Sequence, residues 1–233
     1  QRHFYLSSLE VTNAEYKFFR EQHYSGMSGN RSLDIDSHPV ANVAWEDAAR
    51  FMNWLSKKDG LPAFYREENG TMVVADPAGL GYRLPSEAEW AFAARMAGQK
   101  ERARYPWVGK YPPKTKAGNF ADESARHLLP LVIEGYNDGF AASAPTASFP
   151  ANPAGIHDLG GNVAEWCHDY YSVFNGNAEK NVVDPMGPTS GAHRVVRGSS
   201  WRDASITELR FSYRRYSREA ANDIGFRIAR YAK

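Results

Sequence analysis

Between Gly155 and Trp166 the chain reads GIHDLGGNVAEW, and this stretch limits most tightly what the rest can fold into. Two adjacent glycines, an asparagine and an aspartate make it too turn-rich for a helix, and glycine opens backbone conformations closed to other residues. A curl here can aim carbonyls inward and bring Asp158 and Glu165 together, offering the hard oxygen ligands that Ca²⁺ takes. A solvated loop held by its own Asx turns is the competing reading. From about 99 to 200 the signals are nearly all Pro, Gly, Asn, Asp and isolated aromatics. So long an irregular stretch in a compact domain needs an organiser, and bound cations are one.

The remaining segments predict short regular elements. Residues 3–11 alternate as a strand, and Thr12 with Glu15 forms a capping box that opens a short helix. Residues 23–37 read as loop. Apolar positions from Trp45 to Leu55 fall at helical spacing, predicting a helix over 45–58 that ends at Asp59-Gly60. Residues 61–83 read as a hairpin around Glu-Asn-Gly. Ser86 and Glu89 form a second capping box for a helix that stops at Gly98. Strands are expected at 194–198 and 224–229. No repeat or linker divides the chain, so one α+β domain over 1–233, with much irregular structure, is expected.

The net charge is +1 over 233 residues, and Lys and Arg read as scattered, which argues against nucleic acid as the main partner. No apolar run approaches a membrane span. There is no signal peptide and Gln1 opens the chain, so a mature or trimmed product is expected. The single cysteine, Cys167, allows no intrachain disulfide. It reads as a buried structural thiol, with a nucleophile paired to His168 as the alternative.

Six phrases in order, VTNAEYKFF, HPVANVAWEDAARFMNWL, GYRLPSEAEWAFAAR, NPAGIHDLGGNVAEW, RVVRGSSW and IGFRIAR, resemble the formylglycine-generating enzyme family, also called sulfatase-modifying-factor domains. The resemblance implies a variant of the C-type lectin fold with calcium holding its loops. The family's usual opening strands are missing, so the chain is expected to begin inside the domain. One implied calcium set is Asp158, Gly161, Val163 and Glu165; the other is Asn119, Phe120, Asp138 and Phe140. Family members that oxidise a sulfatase cysteine bind copper through two cysteines, and the alignment puts Asp203 and Glu208 at those places, beside a retained Ser200. Soft Cu(I) selects sulfur, so copper and the known oxidation chemistry are not expected here.

Around the same position stand Trp201, Arg202, Arg210, Tyr213, Arg214, Arg215, Tyr216 and Arg218, residue types that dominate interface hot spots. The first reading is therefore a calcium-stabilised, non-catalytic domain that binds a protein or other ligand there, located outside the cytoplasm. The alternative is a noncanonical oxidase, similar to the pyoverdine-maturation enzyme, in which Asp203 and Glu208 join a histidine on iron or act as acid and base. That set needs two histidines near Asp203, and only His193 is near in sequence. His157 and His168 read as satisfied loop histidines. A purely structural module, with the Arg/Tyr run as a solvated face, remains open.

Overall fold

The computed structural model describes residues 2–173 and 182–233; the part of the expected loop at 174–181 lies outside them. Strand β1 (Phe4–Leu6) leads to helix α1 (Asn13–Lys17), where Thr12 and Glu15 make both halves of the capping box. A small hairpin, β2 (Met27–Ser28) with β3 (Arg31–Ser32), lies within the expected loop. Helix α2 (Trp45–Lys58) buries Trp45, Ala48, Ala49, Phe51 and Met52 along one face. Glu46 and Asp47 in its first turn and Lys57 and Lys58 in its last complement the helix dipole. The hairpin β4 (Tyr65–Glu68) and β5 (Thr71–Val74) turns through Asn69 and Gly70, both at positive φ. Helix α3 (Glu87–Arg95) starts at the Ser86/Glu89 box.

Beyond α3 the chain is mostly irregular, with one 3-10 turn at Glu123–Ala125. The remaining strands are β6 (Ala164–Tyr170), β7 (Arg194–Arg197), β8 (Arg214–Ser217), β9 (Ile224–Gly225) and β10 (Ala229–Tyr231). The central sheet has the order β8-β7-β6-β9, with β6 and β9 parallel and the other pairs antiparallel. β1 pairs with β10, Phe4 opposite Tyr231, so the two ends of the described chain meet.

Two expectations need correction. Residues 164–170 form the central strand rather than loop, because six of the seven are buried and no inside–outside alternation marks them. The closing strand splits into β9 and β10, and the break holds the buried Arg227. The largest core cluster joins Tyr16, Trp45, Phe51, Trp166 and Phe226. The indoles of Trp45 and Trp166 donate to the Cys167 and Val43 carbonyls at 2.8 and 2.9 Å, lacing α2 to β6.

On β6, Asp169 accepts the Glu87 N–H at 2.7 Å, at the start of α3. Burial pushes its carboxyl up to about 7. The folded chain then keeps a proton that the unfolded chain releases near the ordinary aspartate value, so Asp169 makes stability fall as pH rises from about 4 to about 7. Asp169→Asn keeps an acceptor without ionising. Urea denaturation at about pH 5 and about pH 7 should show that it removes part of this loss, at most about 1.4 kcal/mol per pH unit. A pH profile identical to the parent's contradicts the assignment.

Candidate functional site

The Gly155–Trp166 stretch does curl. Asp158, Gly161 and Asn162 have φ of 58°, 102° and 61°. Gly161 needs glycine's freedom for its positive φ, and a Cβ there would also lie 2.6 Å from the Asn119 carbonyl oxygen; Gly160 is close-packed too, its Cβ position 2.8 Å from Pro106 Cγ. Asn162 N–H donates to that same carbonyl at 2.9 Å, so the two implied calcium sets are pressed together.

In the first set, Glu165 is already bonded. Arg227 donates through Nε and Nη2 at 2.7 and 2.6 Å, and the Trp90 indole donates at 2.8 Å. Asp158 accepts the Ala147 N–H at 2.8 Å. Glu10, unremarked in the sequence, joins them by accepting from Asn162 Nδ2 at 2.8 Å and the Val163 N–H at 3.1 Å. Three buried carboxylates thus face one guanidinium. Burial, then the charges of Asp158 and Glu165, hold Glu10 well above the usual carboxylate range. Burial raises Asp158 as well. A hard cation would relieve that excess of negative charge.

In the second set, Asp138 accepts the N–H groups of Phe120 and Phe140 at 2.9 and 2.7 Å. Asp122 packs behind it and accepts the Asp138 N–H in a short hydrogen bond. Burial pushes Asp138 up to about 7, with Asp122 adding to the effect. Asn119 donates to the Ala142 carbonyl at 2.7 Å, yet its Oδ1 is buried without a hydrogen-bond partner among the described residues. An orphaned buried amide oxygen, on the residue preceding the Phe120 N–H that Asp138 accepts, is an oxygen donor of the kind Ca²⁺ takes. Lys116 Nζ donates to the Asp138 carbonyl at 2.6 Å.

The positions aligned with the copper cysteines do not form a pair. Asp203 accepts from Ser200 N–H and Oγ at 2.7 and 3.1 Å and faces Arg215 Nη1 at 3.4 Å. Arg215 also bonds Asp223 at 3.1 Å, and Ser200 Oγ lies 3.0 Å from Asp223, so its single hydrogen is shared between the two carboxylates. Glu208 instead accepts the Ser205 N–H, capping its own turn. Burial is the largest influence on Asp203 and raises it. Asp223 carries no local signal, because its role depends on a contact with Ser200, 23 residues back in the chain and beyond β8.

The proposed ligand surface divides. Ser200 and Trp201 are core residues, Trp201 only 1% exposed and packed with Leu33 and Ala142, so Trp201 cannot meet a ligand as expected. Arg202, Tyr216 and Arg218 are exposed, while Arg210, Tyr213 and Arg215 are half-buried. Arg214 turns inward to share Glu87 with Arg197.

The histidines stay apart from Asp203. His157 Nδ1 lies 2.8 Å from the Phe149 carbonyl, and His193 packs on Tyr216. His168, on β6 rather than a loop, pairs with Tyr65 Oη at 3.0 Å and is held down to about 3 by burial. Among the described residues no group of three His, Cys, Asp or Glu side chains is placed to hold a metal. Glu10, Asp158 and Glu165 therefore crowd one another electrostatically without converging as three ligands on one point. Cys167 is buried, and burial holds its thiol well above the ordinary value, which disfavours the thiolate.

Because Arg227 is buried and its partner Glu165 would be left uncompensated, Arg227→Met should cost about 3–5 kcal/mol in urea denaturation. A loss below about 1 kcal/mol would contradict the pair's role.

The sulfatase-modifying factor enzyme 1-like domain profile matches residues 1–232. Formylglycine-generating enzyme from Streptomyces coelicolor is 32% identical over 219 residues, covering 90% of this chain and 59% of that protein. The same-named enzyme of Thermomonospora curvata is 32% identical over 175 residues, covering 74% of this chain and 48% of that protein. The chain therefore spans only about half the length of these relatives. The structure of Treponema denticola variable protein 1 superposes with a TM-score of 0.78 at 25% identity, covering 98% of this chain and 84% of that one. The expected fold is thereby shown. With near-complete coverage by the family profile, the chain belongs to the sulfatase-modifying factor enzyme 1-like family, which includes the formylglycine-generating enzymes.

Proposed function

We propose that this chain is a calcium-stabilised, non-catalytic member of its family that binds a protein or other ligand through the face around Arg202–Arg218. The observation that carries the reading is the state of positions 203 and 208. Asp203 is committed to Ser200 and Arg215, and Glu208 to the Ser205 N–H, so neither is a soft, free ligand for copper. The exposed residues nearby, Arg202, Ile206, Tyr216 and Arg218, combine cationic, aromatic and aliphatic contact area.

Calcium, when bound, would neutralise the buried carboxylates and tie the irregular loops together. Asn119 Oδ1 and Asp138 in one set, and Asp158 and Glu10 in the other, support that reading. A location outside the cytoplasm follows from the same reading, since calcium is plentiful there and weak sites stay filled. No helix among the described residues is long and apolar enough to cross a membrane.

Thermal unfolding with a chelator and with added Ca²⁺ tests this. Saturating Ca²⁺ should raise Tm by roughly 5–10 °C, and Asp138→Asn, which keeps one of the two N–H partners that its separate oxygens accept, should remove much of that gain. Equal melting under both conditions contradicts the calcium reading. Conversion of a cysteine-containing sulfatase peptide to its formylglycine form by the purified chain would overturn the non-catalytic one.

A further inference from the structure

The segment from Lys100 to Lys116, KERARYPWVGKYPPKTK, carries six cations and one carboxylate, a net +5 in a chain whose total is +1. All six cations are exposed. Among the described residues, none is ion-paired with a carboxylate: Arg104 lies over the Tyr105 ring at 5.3 Å, and Lys116 reaches only a carbonyl.

The segment is irregular yet firmly held. Tyr105 stacks on Trp107 at 4.7 Å, and Trp107 packs on the buried Phe120 at 6.0 Å. Two hydrogen bonds fasten it to the loop carrying Asp203 and Glu208: Tyr111 Oη donates to the Ala204 carbonyl and Phe211 N–H to the Arg104 carbonyl, both at 3.0 Å. Val108 stands fully exposed at its tip, with Tyr111 and, from the neighbouring loop, Ile206 also open to solvent. The result is a rigid basic ledge with apolar contact points beside the face around Arg202–Arg218.

We propose that this ledge docks a short acidic peptide segment of a partner protein, its carboxylates meeting the unpaired cations and its apolar side chains meeting Val108, Tyr111 and Ile206. The inference rests on reading the adjacent face as a binding surface and extends it to a second element. Uncompensated cations beside apolar surface favour a complementary acidic partner and speed its encounter. A long polyanion fits less well. Outside the ledge the chain's charge sums to a net −4, which repels a strand running past it. Tyr105 and Trp107 already stack on each other, leaving few faces for bases.

Fluorescence anisotropy with a labelled peptide of about eight alternating glutamates and leucines tests this. The parent chain should bind it, more weakly as salt rises, and Arg102→Glu with Lys110→Glu should reduce affinity at least tenfold while leaving Tm unchanged. The milder Lys110→Gln with Lys114→Gln should give a smaller loss, which guards against a folding defect. Arg202→Glu with Arg218→Glu serves as the comparison on the adjacent face. Loss in the ledge variants, with or without loss in the comparison, supports the ledge. Loss in the comparison alone overturns the ledge and leaves the adjacent binding face standing. No binding by the parent chain, or tighter binding of a single-stranded oligonucleotide of equal charge, overturns the ledge as an acidic-peptide site.

Discussion

The buried pair of Arg227 and Glu165 is the contact on which the rest of this structure depends. Both side chains are nearly inaccessible, at 0% and 1% exposure. Arg227 sits in the break between β9 and β10 and donates to Glu165 on β6, to the Ser7 carbonyl after β1 and to the His157 carbonyl at the mouth of the curl. Trp90 of α3 completes the set from its own side of Glu165. One guanidinium thus joins both ends of the chain, the central strand and the loop that a small sheet alone would leave unsupported. Desolvating such a pair is costly, and the cost is offset only because nearly every donor finds a partner.

The same geometry explains why the surrounding acids matter. Glu10 and Asp158 crowd the pair, and Asp122 and Asp138 crowd each other on the far side of Asn119. On the calcium reading proposed above, charge that needs a counter-ion holds the irregular loops in addition to their apolar contacts, and makes folding answerable to the solution around the protein. At positions 203 and 208 the chemistry moves the opposite way. There Arg215 is shared between Asp203 and Asp223, so the two carboxylates are tied into the scaffold by one guanidinium.

Local signals were legible where local physics decides. Both capping boxes, the face of α2 and the Asn69-Gly70 turn follow from side-chain spacing and turn chemistry, and all are present. β6 was not legible, because a strand buried on both faces, with Glu165, His168 and Asp169 inside, shows no alternation. Site residues brought in from afar were equally hidden: Glu10 lies in a strand-like stretch, Asp223 in a loop, and only folding sets them beside Val163 and Ser200. Trp201 misled in the reverse direction, since an aromatic beside arginines suits a surface and a core equally well. The scattered look of Lys and Arg over the whole chain likewise concealed the local excess at 100–116.

Elemental analysis of the purified protein, never exposed to chelator, addresses the divergence from the copper enzymes most directly. Calcium near stoichiometric with the chain, and neither copper nor iron above trace, is the predicted result. Copper or iron at one equivalent would contradict it, and would return Asp203, Glu208 and their neighbours to the role of a redox site.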